Sequence, residues 1–186
     1  MWLYVGITLL VIGLSFLIRN SQADKRKTEI SYQYVYTGIS RQKMLNAISM
    51  VSIFTVLFGV SACRLNVGND YAKYVEFMHL VYSHAYVPTE IGFNLLTDAI
   101  YHLCGFENYL LVFAVFAFAT AAVFLAAIWQ QSVSFIWSFS MFMLLGYYFQ
   151  STTPLRYYFA LAIALYSVRY VIDRAWPTFV PLILIG

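Results

Sequence analysis

The chain has 186 residues, 62% of them hydrophobic and only 10% charged, with a mean hydropathy of +0.73. Soluble domains run at about 45–50% apolar and about 25% charged, so a soluble globular domain is excluded unless lipid covers the excess. The net charge of +3 comes from 11 basic and 8 acidic residues with no basic stripe, which excludes a nucleic-acid binder, and 19% aromatic residues exclude a disordered chain. An all-α, polytopic membrane protein remains.

A bilayer core of about 30 Å takes about 20 mostly apolar residues per helix. That ruler predicts one transmembrane helical bundle with spans at about 2–18, 44–62, 108–129, 133–149 and 157–172. A sixth run, 175–186, is too short to cross, so the sequence reads as the N-terminal fragment of a longer protein. Nothing basic precedes Trp2, whereas Arg19, Lys25, Arg26 and Lys27 follow Ile18. This is the layout of a retained helix entering with its N-terminus outside, not of a cleaved signal. Six basic residues between Arg19 and Lys43 place that loop in the cytoplasm. The acidic segment 63–107 then lies on the outer face of the plasma membrane, as does the bend at Thr153–Arg156.

Segment 63–107 is too long for a turn. Tyr71, Tyr74, Val75, Met78 and Tyr82 recur at helical spacing, with Lys73 and Glu76 off the stripe. Val87-Pro88-Thr89-Glu90 reads as a break with Thr89 as N-cap, followed by an apolar face of Leu95, Leu96, Ala99, Ile100 and Leu103 closed by Gly105. Two amphipathic helices on the outer surface are predicted. In the cytoplasmic loop, Ile30, Tyr32, Tyr34 and Tyr36 alternate as in a short strand.

The interiors of the first five spans hold no ionisable residue, which argues against an ion-coupled transporter. The polar residues gather instead at the outer boundary. The densest cluster is Arg64-Leu65-Asn66-Val67-Gly68-Asn69-Asp70-Tyr71, with Tyr74 one turn further on. Gly68 permits a tight turn, Asp70 is placed to cap the next helix, and Tyr71 and Tyr74 share one side. Arg156 opens the fifth span, 92 positions from Arg64 and at the same predicted face. Two guanidiniums at one level can clamp a diphosphate; lone arginines there would only anchor to lipid phosphates.

These motifs resemble the EpsG family, related to the Wzy-like polymerases of bacterial exopolysaccharide, capsule and O-antigen. Arg64, Val67, Gly68, Asp70, Tyr71 and Tyr74 fit its Arg…Val/Thr-Gly-x-Asp-Tyr-x-x-Tyr pattern, and Glu90, Gly92 and Phe93 fit a downstream Glu-x-Gly-Phe. Arg156 and Ala160 fit a later Asn-x-x-Arg-Gln-x-x-Ala helix start, with Thr153 in place of Asn and Tyr157 in place of Gln. The resemblance implies a membrane glycosyltransferase that joins sugar repeat units carried on a polyprenyl diphosphate, working beside other polysaccharide-assembly proteins.

In that reading Arg64 and Arg156 neutralise the departing diphosphate, and Asp70 deprotonates the acceptor hydroxyl with Glu90 in reserve. Gly68, Tyr71, Tyr74, Glu90 and Tyr157 are the candidate substrate contacts. Tyr147 and Tyr148 could stack on sugars, although an interfacial aromatic belt also explains the tyrosines, and Glu90 also suits a helix first turn. His79, His84 and His102 lack metal spacing, and no cofactor motif is present. Cys63 and Cys104 both fall in the outer segment, where a disulfide is conceivable but small apolar residues suffice as an account. The competing expectation is a non-catalytic transport or scaffold component of a polysaccharide export assembly.

Overall fold

The computed structural model describes residues 2–19, 41–63 and 70–185. Among them nine α-helices follow in order: α1 (Trp2–Ser15), α2 (Arg41–Ala62), α3 (Tyr71–Tyr82), α4 (Ile91–Cys104), α5 (Tyr109–Gln131), α6 (Phe135–Leu144), α7 (Tyr147–Gln150), α8 (Leu155–Ile172) and α9 (Trp176–Ile185). No strand occurs among the described residues. The alternating stretch at Ile30–Tyr36 lies outside them, so the expected strand there is not addressed. The fold is an all-α bundle.

Helices α2, α5 and α8, of 22, 23 and 18 residues, are long and apolar enough to cross a membrane. Helices α1 and α6 are apolar but shorter. Helix α5 is the hub. It packs on α2 and α8 and also meets α6 and α4. Ala117 and Ala121 on its buried side let neighbouring backbones approach, as helix packing in lipid requires. Asn108 caps its start by accepting a hydrogen bond from the Leu111 N–H at 3.1 Å. The ends of α1 and α2 are tied by the buried Asn46. Its Oδ1 accepts from the Arg19 N–H at 3.0 Å, and its Nδ2 donates to the Arg19 carbonyl at 2.8 Å.

The expected span 133–149 is not one helix. Helix α6 rises only about 15 Å over its 10 residues, then Gly146 turns the chain at φ +77°. Glycine tolerates that left-handed conformation where other residues strain. In an apolar setting each freed backbone group needs a partner, and the break provides them locally. The Gly146 N–H reaches the Met143 carbonyl at 3.1 Å, and the Gln150 N–H reaches the Gly146 carbonyl at 2.9 Å. The turn delivers Tyr148 into the core, where its hydroxyl donates to the Leu57 carbonyl of α2 at 2.7 Å. Tyr148 is thus a structural residue, which corrects the expectation that it stacks on sugar. Tyr147 is exposed and stacks on Phe142. Tyr148→Phe should destabilise the bundle by about 0.5–1.5 kcal/mol, read as a lower apparent melting temperature in detergent.

Two apolar cores result. One joins α1, α2, α5 and α6 through Val11, Ile53, Leu57, Phe135, Phe139 and Met143. The other joins α3, α4, the start of α5 and the start of α8 through Tyr74, Met78, Phe93, Phe113, Phe116 and Leu155. Helices α3 and α4 are the two amphipathic helices expected in 63–107, with Tyr74 and Met78 inward and Lys73 and Glu76 exposed or half-buried.

Helix α4 departs from expectation in its face. It buries Phe93, Thr97, Ile100 and Tyr101, leaving Leu95 and Leu103 exposed. Both sides carry apolar residues, and the aromatic side wins because its rings bury more surface and find partners. Phe93 stacks on Phe116 and Tyr101 meets Tyr82 edge-on. The N-cap is Glu90 rather than Thr89, whose hydroxyl donates instead to Asn94 Oδ1 at 2.5 Å. Gly105 ends the helix at φ +74°, as expected.

Candidate functional site

Arg156 sits on the first turn of α8, just after Pro154, whose carbonyl accepts the Tyr158 N–H at 3.2 Å. This start point lies against the second core, so the guanidinium emerges over aromatic rings. Its Cζ is 5.6 Å from the ring centroid of Tyr74 and 5.6 Å from that of Phe93. The two rings are 6.0 Å apart and tilted at 46°. Arg156 Nη1 donates to Glu90 Oε2, and its Nε is buried without a partner among the described residues.

Magnitudes separate the two attachments. The Glu90 side chain is 69% exposed and that of Arg156 30% exposed, so solvent screens the pair to about 0–1 kcal/mol. A cation over an aromatic face contributes about 0.5–2 kcal/mol, and here there are two faces. The rings hold the guanidinium in place and Glu90 is a displaceable partner. A buried N–H with no acceptor costs about 1–3 kcal/mol, which an incoming anion could relieve by accepting from the guanidinium edge.

The structure joins three of the sequence-predicted residues, Tyr74, Glu90 and Arg156, across 66 positions of chain between the last two. Tyr71 flanks them, stacked on Phe113 at 5.1 Å, and Tyr74 meets the same ring edge-on, so the two tyrosines share a side. Asp70 occupies the N-cap position of α3 but makes no side-chain capping bond there, so the expected capping contact is not formed. Its carbonyl accepts the Tyr74 N–H, which puts the carboxylate one turn from the ring beneath Arg156. Tyr157 does not join the cluster; it is 63% exposed and packs edge-on against Tyr158. Arg64 and Gly68 lie outside the described residues.

Phe93 and Asn94 are the residues that sequence reasoning did not assign to the site. Phe93 belongs to the Glu-x-Gly-Phe match, and four-residue spacing from Glu90 could have pointed to Asn94. Nearby, His79 Nδ1 lies 3.0 Å from Glu107 Oε1, fastening α3 to the α4–α5 connection. Tyr101 is held well above the usual phenol range, chiefly by burial and then by the charges of Glu107 and Tyr109. It stays neutral and is no candidate base. Cys63 and Cys104 are both free thiols. Among the described residues no group of three metal-ligating side chains gathers.

No curated protein and no solved structure matches the chain. The profile of the EpsG family matches residues 47–186, which includes α3, α4 and the whole Arg156 cluster. The chain therefore belongs to the EpsG family, a group of Wzy-like, polysaccharide-polymerase-related membrane proteins.

Proposed function

We propose that the protein is a membrane glycosyltransferase that joins polyprenyl-diphosphate-linked sugar repeat units, as in exopolysaccharide, capsule or O-antigen synthesis. In this reading the α3–α4 end of the bundle faces outward across the plasma membrane. The carrying observation is Arg156, a guanidinium seated on two aromatic rings and tied to the rest of the protein by one exposed carboxylate.

The reaction breaks the bond between the anomeric carbon and the diphosphate and forms one to an acceptor hydroxyl. Electrons of the broken bond leave on the diphosphate, so charge grows there as the transition state is approached. A pre-placed cation answers that charge without reorganising. Arg156 supplies it once the diphosphate displaces Glu90. Arg64 is the second cation of the proposal, and Asp70 takes the acceptor's proton. Tyr71 and Tyr74 line the approach, and Gly68 gives the turn that brings Arg64 back toward them.

A strain lacking the full-length protein tests the reading. Lipid-linked single repeat units should accumulate while long polymer disappears. Unchanged polymer length and no accumulation would count against polymerisation and favour a supporting role in export.

A further inference from the structure

The α3–α4 connection and the exposed side of α4 enclose an open groove of about 910 Å³, lined among others by His84, Tyr86, Thr89, Glu90, Asn94 and Asp98. Its size lies within the range of about 300–1,000 Å³ usual for small-ligand sites. Glu90 forms its wall and, from the other side, meets Arg156. The groove and the cationic site are therefore neighbours divided by one carboxylate.

The lining has a definite chemistry. Glu90, Asn94 and Asp98 stand four residues apart, so they form one row along α4 with about 6 Å of rise between successive members. Two members are carboxylates, which accept hydrogen bonds. The third is an amide whose orientation is set by Thr89: the hydroxyl donates to Asn94 Oδ1, leaving Nδ2 to donate elsewhere. Tyr86 is 88% exposed and presents an aromatic ring at the same groove. Among the described residues no lysine or arginine lines it, so an anionic ligand meets two like charges and no counter-charge. Glu90 and Asp98 are two turns apart, too far to chelate one cation, and Asp98 already faces His102 Nε2 at 3.6 Å. A row of acceptors, an oriented donor and an exposed aromatic ring suit a neutral polyhydroxylated ligand.

We infer that this groove binds the saccharide part of the substrate, with Glu90 at the junction between sugar and diphosphate. The inference rests on the proposed polymerase reading and adds to it a separate sugar subsite built from Tyr86, Asn94 and Asp98.

The test uses the full-length protein in nanodiscs and two probes. The first is oligosaccharide released by partial acid hydrolysis of the producing cell's own surface polysaccharide, followed by saturation-transfer NMR. The second is a short prenyl diphosphate, followed by calorimetry. Asn94→Ala combined with Asp98→Asn should weaken oligosaccharide binding by about tenfold or more, equivalent to about 1.4 kcal/mol, and leave prenyl diphosphate binding intact. Tyr86→Ala, at a position too exposed to affect folding, should weaken it in the same direction. Oligosaccharide that does not bind, or binds equally to wild type and to these variants, overturns the sugar groove. Prenyl diphosphate binding that is indifferent to Arg156→Gln overturns instead the polymerase reading on which it rests.

Discussion

Arg156→Gln is expected to stop polymer formation while leaving the protein in the membrane at normal abundance. The two effects separate because they rest on different energies. The exposed pair with Glu90 contributes about 0–1 kcal/mol to stability, and glutamine keeps most of the side-chain length over Tyr74 and Phe93. The bundle does not depend on this pair, since its cores are built from α1, α2, α5 and α6 on one side and buried rings on the other. Catalysis does depend on the guanidinium in the proposed mechanism. Removing one pre-placed charge-stabilising donor from a reacting site costs about 10²–10³ in rate, enough to erase long chains from a gel of surface polysaccharide. Arg156→Lys should recover only part of the activity, because a compact ammonium lacks the planar edge that spans two phosphate oxygens and lies flat on rings. Undiminished chain length and yield in Arg156→Gln, with wild-type protein levels, would remove Arg156 from the mechanism.

What the sequence carried and what it did not can be assigned to particular residues. Long apolar runs are unambiguous because lipid allows little else, and α2, α5 and α8 fall within a few residues of their predicted ends. The break at Gly146 escaped that logic. A glycine within an apolar run is compatible with both a continuous span and a left-handed turn, and the hydrogen bond from Tyr148 to the Leu57 carbonyl that fixes the turn joins residues 91 apart. The inward face of α4 was equally hidden, since Leu95 and Phe93 offer rival apolar sides and only the partners on α5 decide between them. For the site, local pattern exposed Tyr74, Glu90 and Arg156 individually. Their meeting depends on the α3–α4 layer folding over the start of α8, and no local spacing encodes that. Tyr157 illustrates the converse: adjacency to Arg156 in sequence placed it among the candidates, yet successive helix positions point about 100° apart and it turns outward.

Asp70→Asn and Glu90→Gln are expected to differ sharply, and the difference identifies the proton acceptor. Each substitution keeps shape and removes charge. Asp70 has no capping bond to hold it and stands one turn from Tyr74, so its carboxylate is available for a substrate hydroxyl. Loss of a general base costs about 10²–10⁴ in rate, so Asp70→Asn should reduce polymer to the background of the Arg156 variant. Glu90 already engages Arg156, and the diphosphate must take its place. Glu90→Gln weakens that competitor, which should tighten prenyl diphosphate binding a few-fold. A weaker grip on the sugar at the junction should at the same time shorten the product chains rather than abolish them. Turnover of purified full-length protein with lipid-linked repeat units, measured across both variants, reads the two effects separately. Full activity in Asp70→Asn together with loss in Glu90→Gln would reverse the roles and make the carboxylate beside Arg156 the base.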